Sequence, residues 1–149
     1  MVDCRGVRIA IRDATEADAV QLAGLIGELG CPCSADEAAA RMRELAESPA
    51  SRLQVAERGG MVVGLVGTHI VPRLDRDRRS CRITDLVVAA PLRRSGIGSA
   101  LLGAAEEEAR RHAAPRIDLS SGDWRAESHS FYQRVGFESV SRTFTKRLG

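Results

Sequence analysis

Aromatic residues make up only 3% of this 149-residue sequence, too few to build the stacked platform that binds single-stranded nucleic acid. An excess of charge of one sign is missing as well. The 22 basic residues face 20 acidic ones, for a net charge of +2, so the electrostatic footprint of a polyanion-binding protein is absent and nucleic acid is not expected as a partner. The longest nearly uninterrupted apolar run, Met61 to Gly67, falls far short of the roughly 20 residues that cross a bilayer, so no membrane span is expected. Near the start, Val7-Arg8-Ile9-Ala10-Ile11-Arg12 alternates like a strand and lacks the continuous apolar core of a signal peptide. A cytoplasmic location follows as the expectation.

Paired C-x-x-C knuckles and a histidine cluster are also lacking, which argues against a zinc site for Cys4, Cys31, Cys33 and Cys81. Reduced thiols are the simpler reading. Cys31-Pro32-Cys33 is alternatively redox-sensitive, although cysteines this close make a strained disulfide. With 44% hydrophobic and 28% charged residues, the chain has the composition of an ordinary globular protein and a length suited to one core, and a single domain over residues 7–149 is expected.

What is present is a clear succession of elements. After the first strand, Thr15-Glu16-Ala17-Asp18 resembles a capping box, and Leu22, Leu25, Ile26 and Leu29 follow at helical spacing until Gly30. Ser34-Ala35-Asp36-Glu37 opens a second helix, with Ala38, Met42 and Leu45 on one face, which closes near Ser48-Pro49. Residues 53–57 and Met61–Val71, joined by Gly59-Gly60, read as a hairpin. The loop from Arg73 to Arg79 interleaves both charges and reads as a solvated connection. Ser80–Val88 is a further strand. Gly96–Arg111 is a strong helix with Ile97, Ala100, Leu101, Ala104 and Ala105 on its apolar face, and with Glu106–Arg110 and Glu107–Arg111 spaced as i,i+4 pairs. Ile117-Asp118-Leu119 starts a short strand, Glu127–Val135 is a short helix ended by Gly136, and a last strand is expected from about Phe137 toward Arg147. Trp124 is expected to pack locally. No repeat or linker appears, and one mixed α+β domain is the simplest partition.

The most informative stretch is Arg93-Arg94-Ser95-Gly96-Ile97-Gly98, placed between an apolar strand and an amphipathic helix. A helix N-terminus carries N–H groups without intrahelical acceptors and a partial positive charge. Glycines at 96 and 98 let a pyrophosphate approach the main chain, while Arg93 and Arg94 can add charge. A glycine turn is also common where a strand simply meets a helix. A dinucleotide fingerprint would need a third glycine where Leu101 stands, and a Walker loop would need Gly-Lys-Ser/Thr, which is absent.

Arg93-x-x-Gly96-x-Gly98 resembles the Q/R-x-x-G-x-G/A phosphate-binding signature of the GCN5-related N-acetyltransferase (GNAT) superfamily. Downstream, Phe131-Tyr132-Gln133-Arg134-Val135-Gly136-Phe137 is similar to that family's F-Y-x-x-x-G-F block, in the family's order and spacing. The resemblance spans nearly the whole chain. It implies a mostly antiparallel twisted sheet flanked by helices and splayed between its central strands. It also implies acetyl-CoA as co-substrate, a primary amine of a small molecule or protein as acceptor, and direct attack in a ternary complex. In that picture Leu86, Val87 and Val88 pair with the pantetheine arm, and Arg93, Arg94, Ser95, Gly96, Ile97, Gly98 and Ser99 cradle the pyrophosphate. A backbone N–H near Val88 faces the thioester oxygen.

The resemblance makes Tyr132 the general acid for the departing thiolate and Asp85 a candidate base. Some relatives carry a glutamate where this chain has Thr84, so a water relay is the alternative base. Glu57, expected to end its strand in solvent, and His69 are secondary candidates, and His129 is expected on an exposed helix face. A non-catalytic acyl-CoA sensor is the competing function. Residues 24–36 and 72–79 are the expected acceptor wall, and a homodimer is possible.

Overall fold

The computed structural model describes residues 1–149 except Arg76, Asp123 and Trp124, so the reading of Trp124 lies outside the described residues. The chain divides into two compact units, Met1–Asp118 and Leu119–Gly149.

The first unit is built on a five-stranded sheet in the order β1-β2-β3-β4-β5. β1 (Ile9–Asp13), β2 (Ser51–Arg58), β3 (Met61–Pro72) and β4 (Arg79–Val88) are antiparallel neighbours, and β5 (Ile117–Asp118) lies parallel to β4. Helices α1 (Ala19–Glu28) and α2 (Ala35–Glu47) fill the connection between β1 and β2, and α3 (Ile97–Arg111) fills that between β4 and β5. Apolar periodicity decides which face each covers. Leu22 and Leu25 of α1 pack with Val55, Leu65 and Val87 on one face. Ala109 of α3 packs with Ile70 and Cys81 on the other. Both helices thus bury an apolar stripe that water would otherwise hydrate, worth about 1.5–3 kcal/mol per large side chain.

Two elements start as the capping signals require. Ser34 Oγ accepts from the Glu37 N–H at 3.1 Å while Glu37 Oε2 accepts from the Ser34 N–H at 2.7 Å. Thr15 and Asp18 form the same reciprocal arrangement ahead of a single 3-10 turn, Glu16–Asp18. Asp18 is buried and its carboxylate takes both terminal nitrogens of Arg12 at 2.8 Å. That guanidinium holds the Asp18 carboxyl below its usual range.

Gly64 brings the other layer close. A Cβ built there would lie 2.9 Å from Leu101 Cδ1, 3.0 Å from the Val87 carbonyl oxygen and 3.3 Å from Ile97 Cγ2. Absence of a side chain therefore sets how near the first turn of α3 sits to β3 and β4. Farther along α3, Glu108 is 4% exposed. It receives Arg52 Nη1 at 2.6 Å, and His112 Nε2 lies 3.0 Å from its other oxygen. Burial alone would lift this carboxyl, but Arg52, with Arg111 and His112 alongside, holds it below its ordinary value. Arg111 reaches Glu108 at 3.7 Å, an i,i+3 pair in place of the expected one with Glu107, while Glu106–Arg110 pairs as expected at 3.1 Å.

The second unit contains α4 (Ala126–Arg134). The strand expected from Phe137 toward Arg147 does not form: among the described residues, 137–149 carry no regular structure, and Glu138 to Gly149 are exposed. Its β-forming residues, Val140, Thr143 and Phe144, have no strand to pair with, and such propensity is realised only against a neighbour.

The lowered pKa of Glu108 means its contribution is complete above the ordinary glutamate value, about 4.3, and is lost as pH falls through that value toward the folded-state one. Glu108→Gln should cost about 1–3 kcal/mol at pH 7 by removing the buried charge that faces Arg52, whose Nε keeps its pair with Asp13 at 2.8 Å. In urea unfolding the gap from wild type should narrow near pH 3, and an equal gap at both pH values would rule out the ion pair as its source. Gly64→Ala should cost about 1–3 kcal/mol through overpacking, read from the same curves.

Candidate functional site

The site is organised by what β4 does along its length. Its ladder with β5 consists of Cys81 opposite Ile117 and Arg82 opposite Asp118. Just beyond, the ladder with β3 shifts register, with Gly67 opposite Asp85 but Thr68 opposite Ile83, so Thr84 is the extra residue of a bulge. A bulge bends its strand and increases the local twist. Ile83 to Val88 accordingly have no partner strand on the β5 side among the described residues.

Antiparallel alternation tells which main-chain groups that edge presents. The Ala89 N–H donates to the Val63 carbonyl at 2.9 Å, so Val63 and Ala89 are a bonded pair. The next pair, Gly64 and Val88, is therefore a non-bonded one, as are Val66 and Leu86. The N–H and C=O of Val88 and of Leu86 thus turn away from β3 toward the open edge. Val87 between them is buried, in the cluster with Leu22 and Leu25.

From Val88 the chain passes through a 3-10 turn, Ala90–Leu92, into the glycine turn. Arg94 and Gly96 are both left-handed there, with φ of 62° and 89°. The Ser95 hydroxyl donates to the Leu92 carbonyl. A Cβ on Gly96 would meet nothing within 4 Å, so its space is open to a ligand. Ile97, 1% exposed, anchors the first turn of α3 in the core. The first helical bond runs from Ala100 N–H to the Gly96 carbonyl at 3.1 Å. Ahead of it, the N–H groups of Ile97, Gly98 and Ser99 are the helix's orphan donors. No side-chain cap and no acidic first-turn residue competes for them. These donors and the open edge of β4 are what a pyrophosphate joined to an extended amide arm would need.

Arg93 has a task that the spacing alone did not show. Its Nε donates to the Val88 carbonyl at 3.3 Å, and its Nη2 lies 3.4 Å from Glu28 Oε2. The same Glu28 oxygen accepts the Ala90 N–H at 3.0 Å. Nothing in the sequence motifs singles out Glu28; the available signal was an acidic residue in the last turn of α1, where a helix dipole favours a base.

Asp85 is exposed and stands opposite Gly67, on the face shared with Val87. A Cβ on Gly67 would lie 2.6 Å from Thr84 Oγ1 and 3.2 Å from Asp85 Oδ2, so the bulge sets both side chains over that glycine. His69, two residues along β3 on the same face, has its Nδ1 2.8 Å from Ser51 Oγ. Glu57 does not end in solvent: it is half-buried on β2 and takes Arg12 Nε at 2.8 Å. In the loop after β3, Arg73 pairs with Asp75 at 2.7 Å and Arg116 with Asp77 at 2.9 Å, which neutralises charge that could attract an anion.

In the second unit, Tyr132 lies on α4. The helix closes in a Schellman motif: the Phe137 N–H reaches the Tyr132 carbonyl at 2.9 Å and the Gly136 N–H reaches that of Gln133 at 3.2 Å. Gly136 supplies the left-handed residue, at φ 95°. The accompanying apolar contact is Phe137 on Tyr132, with ring centroids 5.6 Å apart, and Phe131 lies 5.4 Å from Tyr132 on another side. The spacing of the two phenylalanines and the glycine around Tyr132 is thus the chemistry of a helix end. Burial raises the Tyr132 pKa, with Arg125 opposing it, so the phenol keeps its proton at neutral pH. His129 is half-buried and not exposed as expected.

The sequence model of the acetyltransferase (GNAT) family matches residues 22–137. The chain is 39% identical over 100 residues to the aminoalkylphosphonate N-acetyltransferase of Salmonella typhimurium, a stretch that is 67% of this chain and 65% of that protein's length. A transcriptional regulator from Bacillus halodurans C-125 shares the fold with a TM-score of 0.86 at 23% identity, covering 95% of this chain and 100% of that one. An aminoglycoside N-acetyltransferase solved with coenzyme A has a TM-score of 0.85 at 18% identity, with 97% of each chain covered. At those identities the two structures speak for the fold alone. The α+β fold, the strand edge leading to an uncapped helix and the matched sequence agree: this chain belongs to the GNAT family of acetyltransferases.

Proposed function

We propose that residues 7–149 act as one N-acetyltransferase domain that moves an acetyl group from acetyl-CoA to a primary amine by direct attack in a ternary complex. The observation that carries this reading is that two sets of main-chain donors lack an intramolecular partner among the described residues, the N–H groups of Leu86 and Val88 on the open edge of β4 and those of Ile97, Gly98 and Ser99 in the first turn of α3, with a short bonded turn between them. When bound, acetyl-CoA supplies the activated acyl group and a thiolate leaving group. The N–H groups of Ile97, Gly98 and Ser99 hold the pyrophosphate, and Gly96 leaves it room. The Leu86 and Val88 main chain pairs with the pantetheine amides, and the Val88 N–H meets the charge that develops on the carbonyl oxygen.

Asp85 takes the proton of the attacking ammonium, directly or through water, and Tyr132 gives its proton to the departing sulfur. The named activity of the Salmonella relative makes small amines carrying an acidic group the first acceptors to test. On the face of the sheet that carries Asp85, the Ser51–His69 pair and Arg82, bonded to Asp118 at 3.0 Å, provide polar groups for such a substrate.

Coenzyme release assayed with a panel of amines, aminoalkylphosphonates among them, tests the reading. Tight acetyl-CoA binding without thiol release for any amine would favour a non-catalytic sensor. Tyr132→Phe should lower kcat by about a hundredfold while leaving acetyl-CoA affinity within about twofold; unchanged turnover across the pH range would remove Tyr132 as the acid. Because burial raises its pKa, the alkaline limb of kcat in the wild type should lie above the ordinary tyrosine value of about 10. Gly96→Val should weaken acetyl-CoA binding at least about tenfold, since a β-branched residue is strained at that φ and its side chain enters the cradle. A normal dissociation constant would contradict the cradle.

A further inference from the structure

Helix α1 ends on an acid placed against its own dipole. Glu28 is the last residue of α1, and that last turn holds no basic residue. A carboxylate at the negative end of a helix is unfavourable, and it persists where something else holds it. Here one oxygen, Oε2, receives both the Ala90 N–H at 3.0 Å and Arg93 Nη2 at 3.4 Å. Arg93 in turn holds the Val88 carbonyl through Nε at 3.3 Å. These contacts bracket the Ala90–Leu92 turn, the only chain between the open edge of β4 and the glycine turn before α3.

We propose that Glu28 is a positioning residue for acyl-CoA: through Ala90 and Arg93 it fixes the angle between the strand edge that receives the pantetheine arm and the helix N-terminus that receives the pyrophosphate. The proposal rests on the coenzyme reading above. A ligand that must engage both ends at once gains from having that angle set beforehand, because the ordering cost is met before binding. It also joins α1, whose C-terminal loop was read as part of the acceptor wall, to the donor site. Arg93 then serves as the link between two main-chain segments, whatever charge it adds to a phosphate.

Calorimetric titration of acetyl-CoA into the full chain tests this. Glu28→Ala should weaken binding about fivefold to tenfold. Glu28→Gln keeps an amide oxygen for the Ala90 N–H but loses the charge facing Arg93, and should fall between Glu28→Ala and wild type. The double variant Glu28→Ala/Arg93→Met should lose less affinity than the product of the two single losses, because Glu28 acts in part through Arg93. The ligand-free melting temperature of each Glu28 variant should stay within about 2 °C of wild type, a loss smaller than 1 kcal/mol in a domain of this size. Wild-type-like affinity in Glu28→Ala, multiplied effects in the double variant, or affinity lost in step with melting temperature would each overturn the assignment. Failure of the wild type to bind acetyl-CoA would overturn the coenzyme reading and this one with it, whereas wild-type binding that ignores Glu28 overturns this one alone.

Discussion

Main-chain N–H and C=O groups need partners, and among the described residues the edge of β4 beyond Arg82 is where they are left without a strand. An exposed edge of this kind is ordinarily a liability, blunted by charge, a bulge or a covering element. Here it carries a bulge at Thr84, it is short, and its Val88 carbonyl is held by Arg93. The rest of the first unit can be read as support for that arrangement. β3 secures the other edge of β4, α1 packs against Val87, and α3 begins where β4 ends.

The two faces of the sheet are stabilised by different means. On the α1 side the cover is aliphatic, with Leu22, Leu25, Val55 and Leu65 in one cluster. On the α3 side an apolar start, Ile97 and Leu101 over Gly64, gives way to the Arg52–Glu108–His112 group farther along the helix. The tight, dry end of α3 is the end beside the glycine turn. Placing the ionic group more than two turns away keeps carboxylates from the orphan N–H groups of that first turn, where an acid would occupy the position of an anion.

Local rules carried most of the fold. The capping boxes at Thr15 and Ser34, the Gly59-Gly60 turn and Gly136 each act within a few residues, and the elements they bound are the ones observed. Non-local pairing was less legible. The composition of residues 137–147 suggests a strand, yet a strand exists only with a neighbour, and periodicity does not reveal one. Glu108 did not stand out from its neighbours Glu106 and Glu107 in the sequence, because its partner, Arg52, lies 56 positions away. At the candidate site, the glycine turn was visible as a motif and the edge of β4 followed from family resemblance, but the roles of Glu28 and of the bulge depend on register. Arg93 illustrates the limit: its charge was evident, its direction was not.

The bulge has one more implication. β4 uses the ten residues Arg79–Val88 to run alongside Gly64–Pro72, which is one residue shorter. The bend at the open edge of β4 is therefore specified first by chain length, through the extra residue at position 84. Substitution and deletion at this position are therefore different experiments. Removing one residue would let the two strands match evenly and straighten, carrying the end of β4 back alongside the path of β5. In such proteins, gaps in β4 would be more informative about coenzyme access than mismatches.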